Sequence, residues 1–187
     1  KYPKIQKNKY IFIPTCTDTN FIFPKVNKNI NKYITFGYLG SLQKAYDIDK
    51  VIFFFKNLLL INKKIYIKFI TKDNPNILKK LLDNYNIPNI NYSIESIKRE
   101  NLNAILNSID LGIFYLNENY SIKASFPTKI SEFLCCNIPI ITNDFNLDIS
   151  NIVNSNKLGL ITSFEDIDYE KINIKLIKII NNNFLAS

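Results

Sequence analysis

The stretch FPTKISEFLCCNIPIITND, residues 126–144, puts a proline, a threonine, a lysine and a glutamate at helical spacing. A helix opening at Pro127 or Thr128 would aim its unbonded N–H groups and the Lys129 ammonium at one point. Glu132 would face that point one turn later. Proline suits the first turn of a helix, because the N–H it lacks has no intrahelical partner there. The N–H groups that follow, with the helix dipole, attract an anion. Pro127, Thr128 and Lys129 therefore read as an anion site. Glu132 carries acceptors that suit a pair of ribose hydroxyls. The plain alternative is a capped helix with a solvated lysine and glutamate.

A second candidate is Gly40-Ser41-Leu42-Gln43-Lys44, which follows a β-branched and aromatic run. A glycine there lets backbone approach a phosphate closely. The segment is neither G-x-G-x-x-G nor a P-loop, and an ordinary turn between strand and helix also accounts for it. Lys44, Lys123 and Lys129 fall on loops expected at one rim. Cys135 and Cys136 read as small packing residues. Asn137 stands where a helix takes a left-handed residue just past its end. Asp110 begins a strand at the wrong end for chemistry. Asp18, Asp144 and Asp148 would complete a set of paired carboxylates with it, and Asp144 and Asp148 could face a cleft, but a structural turn is the better reading.

The elements that must position these residues alternate from about residue 32 onward. Strands are expected at 32–39, 64–71, 89–94, 109–116, 138–142 and 158–162. Helices are expected at 47–62, with Asp47 as N-cap, and at 76–86, 98–108, 147–155 and 169–182, besides the one from Thr128. Residues 117–126 read as a polar loop. Strands separated by helices of ten or so residues imply right-handed crossovers and a parallel sheet. The fold class is thus α/β: a Rossmann-like parallel sheet of about six strands with helices on both faces. Ligands in such sheets sit outside the carboxyl ends of the strands. Residues 1–31 do not fit the alternation and read as a connector from a domain upstream, with 32–187 as the ligand-binding domain.

Composition narrows the function. The 187 residues are 47% hydrophobic, enough for one core, and carry 24 basic and 16 acidic residues for a net charge of +8. That balance suits anionic partners, but the lysines are scattered and no nucleic acid is expected as partner. Asn, Ile and Lys are used so heavily that an AT-rich genome accounts for much of the surface. Three cysteines and no histidine argue against a disulfide framework and a zinc site and fit a reducing compartment. No run approaches the roughly 20 apolar residues of a membrane span. The sequence lacks methionine altogether, which suggests a piece of a longer protein.

Taken together, YLGSLQKAYDID, IDLGIFYL, KASFPTKISEFLCCNIPIITND and KLGLIT resemble the C-terminal half of a retaining, family 4-type GT-B glycosyltransferase. The resemblance spans about residues 11–162. It implies a domain that binds a nucleotide-diphospho-sugar donor. Glu132 would hold the ribose hydroxyls, the Pro127–Lys129 turn would lie against the diphosphate and sugar, and Gly40 and Ser41 would form the phosphate-side loop. Ser93, Ile94 and Glu95 would flank the base, and Lys44 roughly matches a loop lysine of the family. The pattern departs from the family's at Ala124, where many members carry a first glutamate, at Ser41 in place of an arginine, at Asn137 in place of a glycine, and at Leu147-Asp148 in place of Gly-Asp. The whole enzyme would move a hexose to a glycan or lipid-linked acceptor, as in polysaccharide biosynthesis, without a cofactor or metal. It would act in the cytoplasm, with peripheral association at the inner face of the membrane. Catalytic residues supplied by the other half are not identifiable. Two alternatives stand beside this reading: a GT-B nucleotide-sugar epimerase, and a non-catalytic Rossmann-like module that binds a nucleotide or a protein.

Overall fold

The computed structural model describes residues 13–25, 33–42, 45–123, 125–163 and 167–185. Six strands form one parallel sheet: β1 (Ile34–Leu39), β2 (Ile65–Ile70), β3 (Tyr92–Glu95), β4 (Leu111–Ile113), β5 (Ile140–Asn143) and β6 (Gly159–Thr162). Their spatial order is β3-β2-β1-β4-β5-β6. The order reverses between β1 and β4, which opens a crevice at their carboxyl ends. The central strands β1, β4 and β5 are buried almost throughout. That is why their sequences read as apolar runs rather than as alternation.

The helices are α1 (Ile48–Ile61), α2 (Pro75–Asn84), α3 (Leu102–Leu106), α4 (Tyr120–Lys123), α5 (Thr128–Cys135), α6 (Leu147–Ser155) and α7 (Tyr169–Leu185). Asp47 caps α1 by accepting the Lys50 N–H at 3.0 Å. The expected helix at 98–108 is instead a 3-10 turn at Arg99–Asn101 followed by the five residues of α3. The expected loop at 117–126 contains α4. Past α5, Asn137 has φ 54°, and the N–H groups of Asn137 and Ile138 return to the carbonyls of Leu134 and Phe133 at 3.0 Å each. This is the left-handed stop read from the sequence.

Two faces of the sheet carry different side chains. Phe36 meets Phe55 of α1 edge-on at 5.8 Å between ring centroids. The next residue, Gly37, points the other way and pairs with Gly112 of β4. Added Cβ atoms there would lie 2.4 Å from Ile109 at Gly37 and 2.7 Å from the Phe133 ring at Gly112. The two glycines let α5 and the chain after α3 settle onto the sheet. Asp110 works at the amino end: its carboxylate accepts the Thr35 N–H at 2.9 Å.

Of the expected connector, residues 1–12 and 26–32 lie outside the described residues. Residues 13–25 lie along α3 and α5. Ile22 is buried, and the Phe23 N–H donates to Asn103 at 3.0 Å. Asn107 donates to the Phe23 carbonyl at 3.0 Å, and Thr15 donates to the Phe126 carbonyl at 2.8 Å. Among the described residues no helix is long and apolar enough to cross a membrane.

Gly112→Ala should lower the stability of the chain by about 1–3 kcal/mol, the usual cost of overpacking a filled core. Urea unfolding followed by circular dichroism measures this, and an unchanged midpoint would show that Phe133 does not depend on the missing methyl.

Candidate functional site

At the carboxyl ends of β1 and β2 lies a cleft of about 440 Å³. Leu39 and Ile70 form its apolar floor, with Ile97 and Leu102 on the β3 side. Gly40, Ser41 and Lys129 line it together, although Ser41 and Lys129 stand 88 positions apart in the chain. Gly40 has φ +143°, a conformation that residues with a Cβ rarely take, and a Cβ there would lie 2.0 Å from Lys129 Nζ. The glycine therefore opens both the turn and the space for the ammonium.

Lys129 Nζ stands 4.0 Å from the centroid of the Tyr46 ring. Such a contact stabilises a cation that has left water. Burial still holds the Lys129 ammonium down to about 8, while Glu132 and Asp73 pull in the opposite direction. Glu132 lies one turn along α5. Burial pushes its carboxyl above the ordinary value, and the charges of Lys129 and Arg99 draw it back. Burial, then the charge of Glu132, pushes Tyr46 up to about 12. Lys129, Glu132 and Tyr46 thus form one electrostatic cluster, with Arg99 at its margin.

Pro127 is the N-cap of α5 rather than its first helical residue, and no side chain caps the helix. The Ile130 N–H turns back to the Pro127 carbonyl at 3.1 Å, and the N–H groups of Thr128 and Lys129 find no acceptor among the described residues. The loop after β1 is fixed from two sides. The Tyr38 hydroxyl donates to the Ser41 carbonyl, and the Leu42 N–H donates to Asp73 at 2.5 Å. Two open helical N–H groups, a half-buried ammonium and a preset glycine turn suit a diphosphate.

Among the described residues, the expected site residues that line the cleft are Gly40, Ser41 and Lys129, while Pro127, Thr128 and Glu132 stand beside it on α5 without lining it. Lys44 and Ala124 lie outside the described residues. Lys123 sits over the Phe145 ring at 5.4 Å and does not line the cleft, so of the described members of the expected lysine convergence Lys129 alone lines it. Ser93 and Ile94 line a separate hollow of about 430 Å³ with Lys79 and Asp83 on the outer strand β3. The Ser93 hydroxyl donates to the Glu95 carboxylate at 2.8 Å, and the Glu95 carbonyl accepts the Thr71 N–H at 3.0 Å. Glu95 thereby ends β3 beside the cleft, while Ser93 and Ile94 stay outside it. Asp148 lies in the first turn of α6 and, like Asp144, does not line the cleft. Among the described residues no group of histidine, cysteine, aspartate or glutamate side chains could hold a metal.

Tyr46, Asp73 and Arg99 went unnoticed in the sequence. A signal existed for Arg99, the single arginine in a chain that otherwise uses lysine. Its guanidinium lies over Phe21 at 5.4 Å and lines the cleft with Lys72 and Lys98. Asp73 follows β2 at the same carboxyl edge as Gly40, so topology alone pointed to it.

Residues 19–186 match the family model of the glycosyl transferases group 1. Among curated proteins none matches. WaaG, a glycosyltransferase involved in lipopolysaccharide biosynthesis, is 14% identical, with a TM-score of 0.66 over 94% of this chain and 48% of its own. The C-terminal domain of the group 1 family protein LpcC from Francisella tularensis is 14% identical, with a TM-score of 0.65 over 88% of each chain. A variant of S. aureus TarM, crystallised with fondaparinux, alpha-GlcNAc-glycerol and UDP, is 15% identical, with a TM-score of 0.60. The present chain spans 32% of that TarM chain, and 88% of its own residues are matched. At these identities the likeness is one of fold, the Rossmann-like half of a GT-B architecture.

An anion held against Lys129 needs the ammonium protonated. Affinity for a nucleoside diphosphate should therefore fall as pH rises through about 8. The loss should reach about tenfold across the two units centred there, which covers most of a single titration. Calorimetric titrations at constant ionic strength measure this, and Lys129→Met should flatten the profile. A wild-type profile already flat from pH 7 to pH 9 would remove Lys129 from the anion site.

Proposed function

The chain belongs to the group 1 glycosyl transferases, and we propose that it binds the nucleotide-diphospho-sugar donor for a retaining hexosyltransferase. The observation that carries this reading is the meeting of Gly40 and Lys129, at the open N-terminus of α5, at the carboxyl end of β1. The diphosphate would lie against Thr128 and Lys129, with the Gly40-Ser41 turn beneath it. Glu132 would accept hydrogen bonds from the two ribose hydroxyls. The base would extend toward β3, against Ile97 and Leu102, with Glu95 at the edge. Ser93 and Ile94 would support that wall from behind rather than touch the base.

Catalysis by this half would be electrostatic. Charge develops on the departing diphosphate as the glycosidic bond to the donor breaks. Fixed N–H dipoles and an ammonium in a partly dry site stabilise that charge without reorganising. The sugar arrives activated, so no resident cofactor is needed. A second domain would present the glycan or lipid-linked acceptor from across the crevice, and the enzyme would work in the cytoplasm at the inner membrane face. This chain alone would bind donor and transfer nothing.

Charge-assisted hydrogen bonds contribute roughly 1.5–3 kcal/mol. Glu132→Ala should therefore weaken a nucleoside diphosphate by about tenfold or more, since each 1.4 kcal/mol is a factor of ten. The 2′,3′-dideoxy nucleotide should be almost insensitive to the same change. Glu132→Gln keeps an acceptor and should lose less. Lys129→Ala should weaken both nucleotides alike, and more at low salt. Equal losses of ribose and dideoxy nucleotide on Glu132→Ala, measured by calorimetry, would contradict the ribose role.

A further inference from the structure

Asn146 is 2% exposed and stands between β5 and α6, and it is not among the residues that line the cleft. Its Oδ1 accepts the Ile149 N–H at 3.2 Å, the ordinary bond of a helix N-cap. Its Nδ2 does something less ordinary. It faces the carbonyls of Ile122 at 3.1 Å, Lys123 at 3.1 Å and Ser125 at 2.8 Å, sharing two hydrogens among three acceptors. These carbonyls end α4 and begin the strand of chain that runs through Phe126 and Pro127 into α5. A helix end leaves its last carbonyls without partners, and a helix as short as α4 has no stability of its own. One buried amide thus closes the end of α4 and the start of α6 together.

We propose that Asn146 is a positioning residue for the phosphate end of the donor site. It touches no ligand. It fixes the segment that delivers Pro127, Thr128 and Lys129 to the cleft, and so sets where the open N–H groups and the ammonium point. Other ties on this segment include the Ser125 N–H, which donates to the Ile122 carbonyl at 3.1 Å, and the packing of Ile122 and Phe126 against the core. The Ser125 hydroxyl donates to Ile122 at 2.9 Å within the segment itself, and the exposed Thr15 hydroxyl donates to Phe126 at 2.8 Å. The inference rests on the donor-binding reading of the cleft.

Asn146→Asp isolates the latch from the cap. Aspartate caps a helix as well as asparagine does, so the Ile149 N–H keeps its acceptor. The N–H donors are replaced by a carboxylate oxygen facing three carbonyl oxygens, which repels them. Two measurements at pH 8 read the result: limited trypsin cleavage after Lys123, and calorimetric titration with uridine and guanosine diphosphates and with the matching nucleosides. In Asn146→Asp, cleavage after Lys123 should be about tenfold faster and diphosphate affinity about tenfold lower, the loss expected when buried hydrogen bonds are broken. Nucleoside affinity should fall less than diphosphate affinity, because Glu132 sits a turn further into α5 and the base wall of Ile97 and Leu102 lies on other elements. Asn146→Ser, which keeps the cap and one hydroxyl donor, should lie between the two, and it decides the matter if the aspartate variant does not fold. Cleavage at the wild-type rate, or equal losses of diphosphate and nucleoside, would overturn the proposal and leave Asn146 a cap only. If the wild-type chain binds no nucleoside diphosphate, the donor reading fails, and the trypsin comparison still decides whether Asn146 holds the segment.

Discussion

The Lys129 ammonium lies over the face of Tyr46, beside a glycine whose missing Cβ leaves it room. Taking a charge out of water is costly unless other groups compensate. Here the compensation comes from the ring, from Glu132 one turn away and from Asp73 across the cleft. Burial outweighs these partners and holds the ammonium down to about 8. An anion entering the cleft would complete the set.

Several features far from the ligand serve that end. Gly112 lets Phe133 press against β4, which sets the depth of α5 on the sheet. The left-handed Asn137 stops α5 after eight residues, so β5 begins in register with β4. Asparagine side chains stand in for backbone where strands end. Asn143 accepts the Leu116 N–H at 2.8 Å and donates to the Leu116 carbonyl at 3.0 Å, extending the ladder past β4. An abundance of asparagine that composition alone ascribes to genome drift includes buried members that carry structural bonds.

The sheet was legible because its central strands are buried on both faces and cannot be polar. α5 was legible because Pro127, Thr128 and Asn137 mark its ends by backbone chemistry, which is local. The meeting of Gly40 and Lys129 followed from topology, since parallel sheets expose their carboxyl ends together. Three things did not follow. The helix α4 is held by Asn146 from a distant loop, so no local pattern announces it. The cation–π seat of Lys129 depends on Tyr46, 83 positions away (129 − 46), and on where the first loop happens to turn. Ser93 and Ile94 fell outside the cleft because β3 is the outer strand, so that side chains ahead of its carboxyl end face a hollow of their own. The family resemblance supplied those residues without their geometry.

The central claim is that a diphosphate lies between the Gly40 turn and the α5 N-terminus. A crystal structure of the chain with uridine or guanosine diphosphate tests it most directly. The account predicts phosphate oxygens about 2.7–3.2 Å from the Thr128 and Lys129 N–H groups and from Lys129 Nζ, the range of a protein hydrogen bond. It also predicts the ribose hydroxyls on Glu132. Nucleotide found in the hollow beside Ser93 and Ile94, or a diphosphate turned away from α5 toward Lys72 and Lys98, would contradict it.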